Sequence, residues 1–207
     1  MLSKAVPNEF KNQKYLHPNL RINSNKLCML DYKKRVRTRG RIPIKHNDNI
    51  IFVSLNSFIQ NNMNVRTIIR KNVKNMISNM DGSILGIGGE SYMYIMNRKN
   101  SIFISNNRSI INDSIANNNI QAIHIDYNNI NMDVYFDNVL INLSNLNCNL
   151  LKQINDICIQ NIIIISCKHD DFWHKIKLLT NFNISKRVQI PDFKLGYFIS
   201  ITIMKRK

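Results

Sequence analysis

What the chain is short of narrows it quickly. Acidic side chains are scarce, with 13 Asp and Glu against 29 Lys and Arg, a formal net charge of +16 at pH 7. So basic a balance points to a polyanionic partner, with RNA or DNA favoured over a membrane surface. Long apolar runs are missing as well. No stretch approaches the ~20 residues that span a bilayer, and no signal-peptide core is evident, so no membrane partner is expected. The four cysteines, Cys28, Cys148, Cys158 and Cys167, form no CxxC pair. They predict neither a disulfide framework nor a metal site, and they suit a reducing, intracellular compartment, cytoplasmic or organellar.

At 207 residues the chain is long enough for one domain with a proper core, or one domain with an appendage. Its charge divides unevenly. Residues 1–45 carry twelve basic and two acidic side chains, and residues 46–207 carry seventeen and eleven. The densest part is residues 33–41, where Lys33, Lys34, Arg35, Arg37, Arg39 and Arg41 alternate with small residues in a pattern that suits an extended ribbon. Six cations in nine residues repel one another unless phosphates lie nearby, which predicts an RNA-binding arm over residues 1–48. A solvated tail is the bland alternative. A mitochondrial presequence is another, although Pro7 and Pro18 interrupt the amphipathic helix it would need.

Residues 49–207 read differently. Residues 50–54 form a strand candidate, and Val65, Ile68, Ile69, Val73, Met76 and Ile77 recur at helical spacing up to Asn79. Then comes the most suggestive stretch, Ser83-Ile-Leu-Gly-Ile-Gly-Gly-Glu90, an apolar strand ending in a glycine cluster that opens into a helix. Strand, glycine turn and helix form a recipe for holding a nucleotide-type ligand, though glycines also end strands without any chemical role. Beyond it strands are predicted over residues 102–105, 122–125, 138–141 and 161–166, alternating with helices over 109–118, 148–158 and 170–180. Two last strands, over residues 184–190 and 197–204, suit a terminal hairpin. The expected fold is α/β: a doubly wound, Rossmann-like seven-stranded sheet with an antiparallel edge strand, the architecture of class I methyltransferases.

Open α/β sheets place their chemistry beyond the carboxyl ends of the strands. There Cys167 follows the apolar strand Ile162 to Ser166, with Lys168 and His169 beside it. Adjacent cations and a helix start favour thiolate and suit a nucleophile, while the bland reading is a small buried hydrophobe. His169 and His174 are spaced wrongly for a shared metal on a helix, His124 reads as a satisfied core residue, and Trp173 as packing under the sheet or stacking on a base.

Taken in order, these segments resemble the tRNA and rRNA uracil-5-methyltransferases. Residues 56–61, Asn-Ser-Phe-Ile-Gln-Asn, are similar to that family's SFxQ-N segment, and Gly86-Ile-Gly-Gly-Glu90 to its GxGxF cofactor loop. Residues 139–146 align with its DPPRxGL segment, and Ile164-Ile-Ser-Cys-Lys168 with YISCN. The resemblance implies S-adenosylmethionine held by Gln60, Gly86, Gly88, Ser105 and Asn142, with Cys167 attacking C6 of a uracil. Asn142 stands in place of the family's Asp, however, and Ser105 or Asn106 in place of the acid that would hold the cofactor's ribose. Near Ser200 the family carries a Glu that removes the C5 proton, and no acid lies between Lys194 and Lys207. A positioned base contributes ~10²–10⁴-fold. Two expectations follow. One is an RNA-binding scaffold of methyltransferase fold that has lost its chemistry and holds no cofactor, a component of a ribonucleoprotein such as an organellar ribosome. The other is an active S-adenosylmethionine-dependent tRNA or rRNA uracil-5-methyltransferase.

Overall fold

The computed structural model describes residues 20–23, 26–30, 36–37, 41–46, 49–54, 57, 63–118, 120–167, 171–192 and 197–207. In the basic segment β1 (Leu20–Asn23), β2 (Lys26–Leu30) and β3 (Val36–Arg37) form a three-stranded antiparallel sheet. Next, β4 (Arg41–His46) and β5 (Asn49–Ser54) pair as a hairpin running from Arg41 opposite Ser54 to His46 opposite Asn49. That hairpin joins residues on both sides of position 48, where the charge pattern divides arm from domain.

The rest alternates as its periodicity predicts. Helix α1 (Met63–Ser78) leads to β6 (Ile84–Ile87), α2 (Ser91–Ile95), β7 (Ser101–Ser105), α3 (Arg108–Asn118) and β8 (Gln121–His124). Strand β9 (Phe136–Asn142), α4 (Cys148–Ile157), β10 (Cys158–Ser166), α5 (Phe172–Ile176), β11 (Phe182–Asp192) and β12 (Tyr197–Arg206) complete it. The seven strands lie in the order β11-β12-β10-β9-β6-β7-β8. Strands β6 to β10 are mutually parallel, and β12 runs against both β10 and β11. The terminal hairpin is there, and its reversed strand lies one place in from the edge. Order reverses between β6 and β9, which makes their carboxyl ends the switch point where open sheets bind ligands.

Two apolar layers hold the sheet between helices. On one face Val65, Ile69, Val73 and Ile77 of α1 pack with Ile110 and Ile111 of α3, Ile51 and Val53 of β5, and Ile163 and Ile165 of β10. On the other, Leu150, Leu151 and Ile154 of α4 and Phe172 and Ile176 of α5 meet Ile162 and Ile164. Strand β10 thus buries both faces, which explains its unbroken isoleucine run. Each such side chain contributes roughly 1.5–3 kcal/mol of transfer free energy.

Some expectations shift. Helix α5 is only five residues long, because turns from Ile176 to Leu179 and from Leu179 to Phe182 carry the chain straight into β11. His124 is exposed rather than a core residue, since β8 is the sheet's edge, and its Nε2 lies 3.2 Å from the Asn106 carbonyl. Trp173 is also half out in solvent, edge-on to Phe172 and with the Arg187 guanidinium 4.7 Å over its ring.

The hairpin is fastened to α3 by two side chains one turn apart. The Asn117 amide mimics a strand edge, accepting from Phe52 N at 2.8 Å and donating to Phe52 O at 2.6 Å. Fully buried Asp113 accepts from Ser54 N (2.7 Å), Ser54 Oγ (2.6 Å) and Ser57 Oγ (2.6 Å), and Arg41 Nε lies 3.2 Å from its Oδ1. Hydrogen bonds to a buried charge are strong, so Asp113→Asn is expected to lower stability by about 1.5–3 kcal/mol. Urea unfolding of the variant measures this, and limited proteolysis should release the hairpin first.

Candidate functional site

The glycine loop sits at the switch point. Gly88 N donates to Ile104 O at 2.9 Å, Ser91 N donates to Gly88 O at 3.1 Å, and the Ser91 hydroxyl also donates to Gly88 O. Gly88 and Gly89 have φ of 65° and 46°, backbone that only glycine adopts without strain. What the loop approaches closely is the end of β9. A Cβ on Gly88 would collide with the Leu143 side chain, and one on Gly89 would lie 2.7 Å from Asn142 O. The glycines therefore let one protein segment settle against another. Gly86 lies within β6, and a Cβ there would run into Ile95 of α2.

Glu90, the acid that closes the loop, turns inward. It is buried, with Oε1 3.3 Å from Nε of equally buried Arg66 in the first turn of α1. The phenol of Tyr94 hydrogen-bonds Glu90, and burial together with that carboxylate pushes the Tyr94 pKa up. Arg70, one turn beyond Arg66, is pushed down to about 10 by burial and by Arg66 and drawn back up by Glu90, so it stays charged at neutral pH. Tyr92, stacked at a tilt on Phe103 at 5.5 Å, rises through burial and through Asp113 and Glu90. Two guanidinium groups and one carboxylate thus tie α1 to the loop. Sequence reasoning missed this cluster although a signal was present. Arg66 and Arg70 lie seven residues before Val73 and Ile77, on the helix's apolar face, where a lone cation would be intolerable.

Ser105 ends β7 beside the switch point, fully buried. Its Oγ accepts from Asn107 N at 3.1 Å, its carbonyl accepts from Ile125 N at 3.0 Å, and the Tyr127 phenol lies against its side chain. It presents no carboxylate to a ribose. Asn142 ends β9 as a neutral amide packed on Gly89. The shape of a cofactor loop is present, with neutral side chains at Ser105 and Asn142.

Cys167 follows Ser166 at the end of β10 and packs, half-buried, on the α1 side of the sheet with Val188. Ser200 pairs with Ser166 across β12 and is fully buried. Because Ile199 and Ile201 face the α1 side, the alternation of the strand turns Ser200 to the opposite face from Cys167. Its hydroxyl has no hydrogen-bond partner among the described residues. Gln60, Lys33, Lys34, Arg35, Arg39, Lys168 and His169 lie outside the described residues, and of Arg37 only the backbone is described. Arg41 is placed on Asp113 rather than with its neighbours in a free ribbon. Among the described residues no cluster of potential metal ligands occurs, and no helix is long and apolar enough to cross a membrane.

The fold is that of the class I methyltransferases. The chain is similar to the Pyrococcus abyssi tRNA (uracil-54, C5)-methyltransferase solved with S-adenosyl-L-homocysteine, with TM-score 0.64 and 19% identity over 83% of this chain and 46% of that one. It is also similar to Methanocaldococcus jannaschii Trm5 solved with adenosine (TM-score 0.65, 15% identity, 90% and 60% covered). The N-methyltransferase NodS of Bradyrhizobium japonicum matches at TM-score 0.59 and 10% identity, over 71% of this chain and 99% of that one. The chain spans less than half the length of the Pyrococcus enzyme. No family model and no curated protein matches it.

Proposed function

We propose that this protein is an RNA-binding scaffold of methyltransferase fold, a structural or assembly component of a ribonucleoprotein such as an organellar ribosome. The observation that carries the reading is the absence of carboxylates at the strand ends that the resemblance singles out. Ser105 and Asn142 stand where it implies acids, no acid lies between Lys194 and Lys207, and the loop's own Glu90 is held by Arg66. The net charge of +16 supports RNA, rRNA or tRNA, as the partner. The glycine loop is kept because it seats the end of β9 and opens α2, roles that survive without a cofactor.

Isothermal calorimetry with S-adenosylmethionine tests this directly. No binding is expected up to about 1 mM ligand, weaker than the usual 1 μM–1 mM range of working substrate sites. Micromolar binding would sink the scaffold reading. It would favour the active uracil-5-methyltransferase, which Cys167 at the end of β10 supports. That enzyme would form a covalent complex with 5-fluorouridine RNA that is lost in Cys167→Ala.

A further inference from the structure

At the end of the sheet away from the glycine loop, four parallel strands begin side by side. Ser101 opens β7, Gln121 opens β8, Phe136 opens β9, and Ser83 precedes β6. A cavity of about 490 Å³ lies there, lined by Arg98, Lys99, Asn100, Ser101, Gln121 and Tyr135 among others. Sites that take a small molecule or one unit of a polymer commonly fall between ~300 and 1,000 Å³. The rim marks it as a place built to receive something. Tyr135 stands 68% exposed at the rim, beside Val134, where packing alone does not call for an aromatic ring.

The charges give the site a direction. Arg98 is held rigid, donating to Ile77 O at 2.6 Å and to Met80 O at the end of α1, and exposed Lys99 follows it. On the other flank Asp137 accepts from Ser83 N at 2.7 Å and Ser83 Oγ at 2.8 Å, which holds its carboxyl below the ordinary range and keeps it anionic. An anionic group is drawn to the Arg98–Lys99 side and repelled from the Asp137 side, while a flat neutral ring finds Tyr135.

We infer that this cavity binds one unpaired nucleotide of a single-stranded RNA. The base stacks on Tyr135 with Gln121 at its edge, and the phosphate lies by Lys99. Stacking on an exposed aromatic with a nearby cation is the general mode for unpaired bases. The inference rests on the reading of the chain as an RNA binder and adds a contact on the face that the fold's switch point leaves unused.

The test is fluorescence anisotropy of the full chain with a labelled eight-residue oligouridine. Tyr135→Ala is expected to weaken binding about 5- to 100-fold, and Tyr135→Phe by less than about threefold, because the ring and not the hydroxyl stacks. Lys99→Gln is expected to weaken binding and to reduce the salt slope by about 0.7. Tyr135 is exposed, so unchanged circular dichroism separates lost binding from lost fold. Binding of Tyr135→Ala within twofold of the parent overturns the inference. If neutralising the basic segment still abolished binding, the RNA-binding reading would stand without this site. Saturation by uridine monophosphate alone at micromolar concentration also overturns it, assigning the cavity to a free nucleotide.

Discussion

Replacing Arg66 with methionine is expected to destabilise the protein by about 3–5 kcal/mol, because it strands the Glu90 carboxylate inside the fold. Against a total stability of roughly 5–15 kcal/mol that is a large loss. The pair itself need not be strongly favourable, since removing two charges from water offsets most of their attraction. What is costly is breaking one half. The double variant Arg66→Met with Glu90→Gln is therefore expected to recover much of the loss, with Arg70 and Tyr94 left around a neutral amide. Urea unfolding of the two single variants and the double variant gives the coupling. A loss below about 1 kcal/mol in Arg66→Met would mean that Glu90 finds solvent or another cation when Arg66 leaves.

Neutralising Lys33, Lys34, Arg35, Arg37 and Arg39 together is expected to flatten the salt dependence of RNA binding. Single-stranded RNA releases about 0.7 counterion per phosphate neutralised, so five contacts account for a log–log slope of about 3.5. About a hundredfold of the affinity change between roughly 50 and 200 mM salt should disappear with them. Arg41 belongs to the same basic run but should behave differently. Its guanidinium lies on Asp113 and donates to Asn112 O at 3.1 Å, so Arg41→Gln should loosen the hairpin and leave the slope unchanged. Titrations at several salt concentrations decide both. A slope unaltered by the five substitutions would place the phosphates elsewhere on the molecule, and a slope that fell with Arg41→Gln would return that residue to the RNA contacts.

Much of the fold is legible along the chain because the information is local. The helical stripe from Val65 to Ile77, the isoleucine run of β10 and the glycine cluster after β6 each declare their element without reference to anything distant. Alternation of such elements leaves few topologies, and a final pair of strands leaves the hairpin of β11 and β12. The ends are less legible. The shortness of α5 depends on how soon the chain must enter β11, and the exposure of His124 depends on β8 being the edge, which pairing alone decides.

The candidate site divides along the same line. From the residues alone one can see that Ser105 and Asn142 are neutral where the resemblance implies acids and that no acid lies near Ser200, because identity is a property of the sequence. Where the remaining charges go is not visible there. Glu90 reads as the last residue of a glycine loop until α1 packs on that loop and brings Arg66 within 3.3 Å. Arg41 reads as one more cation of a basic run until the β4–β5 hairpin lays it on Asp113, 72 positions away. The cavity between Lys99 and Tyr135 has no linear signature, since its walls come from the starts of four strands that only the parallel sheet sets side by side. Periodicity and composition determined the layers, the strand direction and the missing acids, all of them short-range or additive properties. Tertiary structure decided which charges neutralise each other and which remain for a partner, because burial and pairing distance exist only once the chain is folded.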